Sequence, residues 1–493
     1  HVRSRRQRQM CIRDSACEDC RACVDATGCP GLTQTFDAYG SKISIDPQVC
    51  VADGYCTRIK ACPSFEEVIV YDYHPTKYAT KSNDDELEIP FPQQAKVSFE
   101  DIANGRELRV VVTGVGGSGV TTISKVLAQA AKTMGGRTDI DFKYVDQKGL
   151  AQRNGNVTAH LTLFPKGKSA TPVTPKGRAD VLVSPDLLDG AVHLNVLSPN
   201  GIVVLDSHYQ VPLSIILNDS VEIPNTDEES IRDELRSKFS DRVTLASFKE
   251  LSQKILGKSV YASAMVLGAS FQKGLFPFSL EDIRTALSES VKGGEGKTNL
   301  HAFEIGRAII AHGEEEVRKK LIPQEENLSM MQLLKQSLIE SSAPWEDSQK
   351  MIKTWGKACA SLKELFVDLK EEYLAQYIHD LLIFNRGKTI EQFMEYARQI
   401  SQRFSNEHQP AALRVLAKTF FIKDEVYVAH LMLSPVKKYL DHKRFSNLGK
   451  SFDYKFINRP SFEIFNKKVE FDLSPKIWML KSMRHLRILR TLM

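Results

Sequence analysis

Two cysteine motifs, each closed by Cys-Pro, constrain this chain more than any other feature. The first runs Cys17-x2-Cys20-x2-Cys23-x5-Cys29-Pro30 and the second Cys50-x5-Cys56-x5-Cys62-Pro63. A tight C-x2-C-x2-C loop aims three thiolates at three corners of an iron–sulfur cubane. In two-cluster ferredoxins the fourth cysteine, the one before proline, ligates the other centre. Cys50 and Cys56 have the spacing of first and third ligands, and Asp53 stands where the middle ligand belongs. The expected sets are Cys17, Cys20, Cys23 and Cys62 for one [4Fe–4S] centre, and Cys29, Cys50 and Cys56 for the other, with Asp53 as fourth ligand or none. A carboxylate is a harder ligand than a thiolate. The second centre is therefore expected as [4Fe–4S] with an Asp corner, or as [3Fe–4S]. Structural zinc is the competing reading, but zinc takes well-separated Cys or His pairs, and the triple motif is crowded for one ion.

A disulfide scaffold fits poorly. Eight of the nine cysteines precede residue 63 in a chain of 493, without the apolar core of a signal peptide. The last, Cys359, lies in a helical pattern and reads as a small buried apolar residue. The net charge of +5 is small for this length and indicates no nucleic-acid partner. No apolar run reaches the roughly 18 residues of a membrane helix, so the expected location is cytoplasmic.

The chain reads as α/β and multidomain. Residues 1–15, with the basic "HVRSRRQRQ", are set apart as foreign or disordered. Residues 16–75 hold the cysteines and short β-like runs, and are expected to form a ferredoxin-like two-cluster α+β module. Residues 76–106 read as a polar linker. Residues 107–315 alternate strands ("LRVVVTGV", "DFKYVD", "VTAHLTLF", "ADVLVS", "GIVVLD") with helices, the rhythm of a Rossmann-like parallel α/β domain. Residues 325–493 read as a mainly helical domain. His301, His379 and His442 are scattered there and upstream, and read as ordinary surface or core histidines.

"VVVTGVGGSGVTT" places Gly114, Gly116, Gly117 and Gly119 between a strand and a helix, the context of a phosphate-cradling turn. No Lys-Ser/Thr follows, so it is not a P-loop. Dinucleotide binding calls for an acidic residue about 20 positions on, ending the next strand. Asp139 and Asp141 precede that strand and Asp146 comes late, so glycine-mediated packing stands beside ligand binding. A loop bearing Asp146, Gln147, Lys148, Gln152 and Arg153 then leads into a strand.

The glycine turn followed by "DQKGLAQRNGNV" resembles the gamma domain of 2-oxoacid:ferredoxin oxidoreductases. The "CPSF" ending of the cysteine segment and the C-terminal "NRPSFEIFNKKVEFDLSPKIWMLKSMRHLRILR" resemble the long, fused indolepyruvate type. The resemblance implies oxidative decarboxylation of a 2-oxoacid, an aryl pyruvate in this type, to an acyl-CoA. Thiamine diphosphate with magnesium stabilises the carbanion, CoA is cosubstrate and ferredoxin takes the electrons. It implies thiamine-binding domains or a thiamine-binding subunit as partner, and a homo-oligomer of the full enzyme. Asp146, Gln147, Lys148, Gln152 and Arg153 would face the substrate side. The Gly-Asp-Gly…Asn thiamine signature is absent from this sequence. The expectation is therefore the C-terminal half of such an enzyme, cut at both ends and inactive alone. Two rivals stay open: an iron–sulfur NAD(P)H or flavin oxidoreductase, and a non-catalytic electron carrier.

Overall fold

A computed structural model of the chain describes residues 6–12, 14–46, 50–57, 62, 64–73, 88–149, 155–208, 228–290, 296–322, 328–342, 347–446, 448–457, 461–464, 467–470 and 474–486. The chain forms two compact units. One is residues 75–324; the other joins residues 1–74 to 325–493.

The 75–324 unit is built on a six-stranded sheet, in the spatial order Val243–Ala246, Leu197–Asp206, Ala179–Ser184, Leu108–Val115, Asn156–Pro165, Ile140–Lys148. The first four run parallel, while Asn156–Pro165 is antiparallel to both neighbours. The expected all-parallel sheet is thus a mixed one. The reason is local: residues 149–155 are too few for a parallel crossover, which takes about a dozen residues or more, and they close a hairpin instead. Asp146, Gln147 and Lys148 consequently belong to the edge strand rather than to a loop.

Alternation along the strands explains their near-continuous apolar runs. Val110, Val112, Val181, Val183, Ile202 and Val204 pack on one face, against the helices Val120–Thr133, Ala262–Gln272 and Gly296–His312. Val111, Leu182, Val203 and Leu205 pack on the other, with Leu235 and Phe239 of the helix Glu228–Phe239. A sheet covered on both faces needs both sets apolar.

Part of the expected linker belongs to this unit. The backbone N–H groups of Gln93 and Lys96 donate to the carbonyls of Gln272 and Gly274. Arg307 and Gln272 donate to the Pro90 carbonyl. Ser98 and Asp101 form a capping box on the helix Phe99–Ala103, with Ile102 buried below it. Residues 76–87 lie outside the described residues.

In the other unit, the strand Phe65–Tyr71 is the centre of a three-stranded antiparallel sheet. Arg6–Ile12 flanks it on one side and Ser451–Phe456 on the other. Arg6–Ile12, set apart in sequence as foreign or disordered, instead takes an edge position with Met10 and Cys11 buried. The sequence boundaries at 16–75 and 325–493 do not separate two bodies here. Ala16, Ala38 and Tyr39 share a core with Trp355, Leu362, Ile378, Phe393 and Leu413 of the C-terminal helices. His379 is buried there, bonded to Asp380 (2.8 Å) and Ser337 (3.0 Å). Cys359 is buried in the same core, and burial pushes its thiol up to about 12.

Candidate functional site

The two cysteine segments repeat one backbone device. Asp19 and Ala52, each two residues after the first cysteine of its motif, take positive φ (54° and 56°). Each then donates its N–H back to that cysteine's Sγ, at 3.4 Å in both cases. Left-handed backbone at a non-glycine residue costs about 1–2 kcal/mol, and such strain gathers at ligand clamps. The shared turn puts Asp53 in the place that Cys20 occupies in the first motif. Asp53 itself is exposed, and its Oδ1 accepts the Tyr55 N–H at 3.0 Å.

A second N–H, from Ile43, reaches Cys17 Sγ at 3.4 Å. Cys23 lies in the short helix Ala22–Thr27, whose Thr27 hydroxyl donates to the Cys23 carbonyl (2.6 Å) and accepts the Cys29 N–H (3.1 Å). Gly31 brings the two segments together: a Cβ there would stand 3.3 Å from the Cys50 backbone.

Electrostatics divide the sulfurs into two groups. Burial pushes the Cys23 thiol up to about 12, and the sulfurs of Cys62, Cys17, Cys20 and Cys56 push further. Burial also pushes Cys56 up to about 12, followed by Cys29, Cys50 and Asp53. Cys17, Cys50 and Cys62 are raised first by burial as well. Apart from the reach of Cys56 to Cys23, these neighbours fall into the two expected ligand sets. Among the described residues, no three or more His, Cys, Asp or Glu side chains converge on one ion. The donor chemistry nevertheless fits iron–sulfur centres: seven soft cysteine sulfurs in two motifs, with the exposed carboxylate of Asp53 beside the second.

In the other unit, Gly114, Gly116, Gly117 and Gly119 connect Leu108–Val115 to Val120–Thr133. Two of them are packing glycines. A Cβ on Gly119 (φ 91°) would lie 2.5 Å from Ser263 Cβ, and one on Gly114 would lie 2.8 Å from Val120 Cγ2. Gly117 (φ 99°) faces open space. The Gly116 N–H donates to the Gly155 carbonyl at 2.7 Å, so the turn abuts the residue that precedes the strand Asn156–Pro165. Asp146 accepts from the Tyr144 hydroxyl and from Ser124 (3.4 Å), and pairs with Lys148 (3.7 Å). Its strand is separated from the glycine-turn strand by Asn156–Pro165, about 10 Å across the sheet, which is not the adjacent position of a ribose-binding acid. Gln152 and Arg153 lie outside the described residues.

The sequence profile of the pyruvate ferredoxin/flavodoxin oxidoreductase family matches residues 109–309. The chain is 30% identical over 199 residues to the indolepyruvate oxidoreductase subunit IorB of Archaeoglobus fulgidus, covering 40% of this chain and 93% of that one. The chain belongs to the indolepyruvate-type 2-oxoacid:ferredoxin oxidoreductase family. The IorB subunit of Thermococcus kodakarensis is 26% identical over 201 residues, 41% of this chain and 95% of that one. A keto/oxoacid ferredoxin oxidoreductase gamma subunit from Geobacter sulfurreducens aligns at 17% identity and a TM-score of 0.28, covering 41% of this chain and 98% of that one. Among the described residues of this oxidoreductase-family chain, no helix is long and apolar enough to cross a membrane.

Sequence reasoning missed two polar clusters in this family member. At the carboxyl ends of the parallel strands, Asp206 accepts the backbone N–H groups of His208 and Lys249, each at 2.6 Å. Lys249 Nζ lies 3.6 Å from the buried Asp186 Oδ2. Burial pushes the Asp206 carboxyl up to about 7, against the pull of Lys249. A strand-terminal Asp at the end of "GIVVLD" was the available signal. The second cluster is basic and surrounds Cys17. Lys42 is 1% exposed and donates to the Cys17 carbonyl at 2.7 Å. Lys423 reaches the same oxygen at 3.2 Å. No local pattern distinguishes these lysines from solvated ones.

Proposed function

We propose that this chain supplies the electron relay and the gamma domain of an indolepyruvate-type oxidoreductase. The reaction is 2-oxoacid plus CoA to acyl-CoA, carbon dioxide, one proton and two electrons, the electrons leaving singly to ferredoxin. The carrying observation is the turn that the two motifs share, in which Asp19 and Ala52 return their N–H groups to Cys17 Sγ and Cys50 Sγ, in a chain of this family.

When bound, iron–sulfur centres supply one-electron storage and transfer at these positions. The protein's part is to make thiolates and hold them. The N–H donors of Asp19, Ile43 and Ala52 stabilise negative charge on Cys17 and Cys50. Thiamine diphosphate, its magnesium and CoA belong in this reading to thiamine-binding domains or a subunit whose signature this sequence lacks. The glycine turn, bonded to Gly155, and the Asp146–Lys148 strand end would form the gamma-domain surface facing that partner.

Anaerobic reconstitution with iron and sulfide tests the reading. About eight irons per chain, with EPR signals of reduced [4Fe–4S] centres, are expected. An oxidised three-iron signal that Asp53→Cys abolishes would identify Asp53 as the labile corner. A folded chain that takes up zinc but no iron would overturn the reading.

A further inference from the structure

Two lysines converge on the first cysteine motif. Lys42 and Lys423 both direct their ammonium groups at the Cys17 carbonyl, at 2.7 and 3.2 Å. The charged groups that face them are Lys418, Asp37 and Glu18, the last paired with Lys423. Asp19 and Arg21, beside Cys17 in the chain, pair with each other at 3.6 Å.

A lysine at 1% exposure is costly to bury without a compensating anion. Lys42 donates to the neutral Cys17 carbonyl rather than to a carboxylate. That carbonyl belongs to a residue whose sulfur would ligate a centre made anionic by four thiolates. The centre gains a further negative charge on reduction, so fixed cations beside it favour the reduced form. Net charge and nearby hydrogen bonding are what set such potentials.

We infer that Lys42 and Lys423 raise the reduction potential of the centre held by Cys17, Cys20, Cys23 and Cys62. Lys42 comes from the strand Gly40–Ile45, while Lys423 follows the helix Gln409–Thr419. The C-terminal helices thereby complete the electrostatics of the N-terminal cysteine segment within one unit.

The inference rests on the proposed iron–sulfur reading, and one experiment separates their failures. The whole reconstituted chain is assayed for iron and sulfide, then titrated by EPR against mediator potentials. Signals are assigned by their loss in Cys20→Ala or Cys50→Ala. Lys42→Met and Lys423→Gln are expected to lower the midpoint of the Cys17-group centre. The expected fall is about tenfold in its reduction equilibrium, about 59 mV for one electron, with the other centre unmoved. Lys423→Arg, which keeps the charge, is expected to keep the potential. Lys423 carries the test if Lys42→Met does not fold. Normal iron content with unshifted potentials in the lysine variants overturns this inference alone. Absence of iron in the wild-type chain overturns both.

Discussion

Gly119→Ala separates a packing glycine from a ligand-binding one. Gly119 sits at φ 91°, so any side chain there meets the left-handed penalty, about 1–2 kcal/mol. The added Cβ would also stand 2.5 Å from both Ser263 Cβ and Oγ. A Cβ cannot swing away as a side-chain tip can; the helix Ala262–Gln272 would have to shift. That helix is buried along its whole length, and overpacking of such a site costs about 1–3 kcal/mol. Against these stands the lower entropy of unfolded alanine, about 0.4–1 kcal/mol. The expected net loss is about 1–5 kcal/mol, the sum of those terms. The assay is hydrogen exchange of the Val120–Thr133 helix in the full chain, with urea unfolding followed by circular dichroism. The three tryptophans, 345, 355 and 478, all fall in the span of the other unit, so their fluorescence transition should stay in place. Ser263→Gly in the Gly119→Ala background should recover the steric part and leave the backbone part. A Gly119→Ala chain within about 0.5 kcal/mol of wild type would refute the reasoning and return the turn to a ligand-binding role.

Two further outcomes follow from the same unit. Gly306→Ala adds a Cβ 1.9 Å from the Met265 carbonyl oxygen. Helix propensity alone favours alanine by about 1 kcal/mol, whereas the helix crossing predicts destabilisation of about 1–3 kcal/mol, so the sign measured by urea unfolding decides. Asp206 keeps its proton in the folded state up to about pH 7, against an ordinary value of 3.8. The folded state therefore binds the extra proton between these values, and its contribution to stability falls as pH rises from about 4 to 7. Asp206→Asn should flatten that slope in unfolding measured across pH; an unchanged slope would show that Asp206 is not held neutral.

What was legible of the candidate site is the repeat of its two motifs, because that signal is local. The register of the second motif sets Asp53 in the place of Cys20, and the same left-handed turn precedes both, while Cys23 lies in the helix Ala22–Thr27 rather than on the loop the spacing suggests. The sheet was half legible. Apolar runs marked its strands, but reading them all as parallel ignored the short 149–155 connection, which permits only a hairpin. The buried lysines were not legible. "SKISI" presents Lys42 as one polar residue in an alternating strand, and nothing near it in sequence covers it.

The spacing of the cysteines, the glycine turn and the strands of the family domain follow from the order of residues alone. Each depends on residue type and on separations of a few positions, where backbone geometry leaves little choice. Only the folded chain reveals that Phe65–Tyr71 pairs with Ser451–Phe456, and that Lys423 joins Lys42 at Cys17. The contact between Lys423 and Cys17 closes over 406 positions of chain. Such contacts are chosen by which apolar faces bury one another and by which buried charges find partners, and no short stretch of sequence encodes either choice.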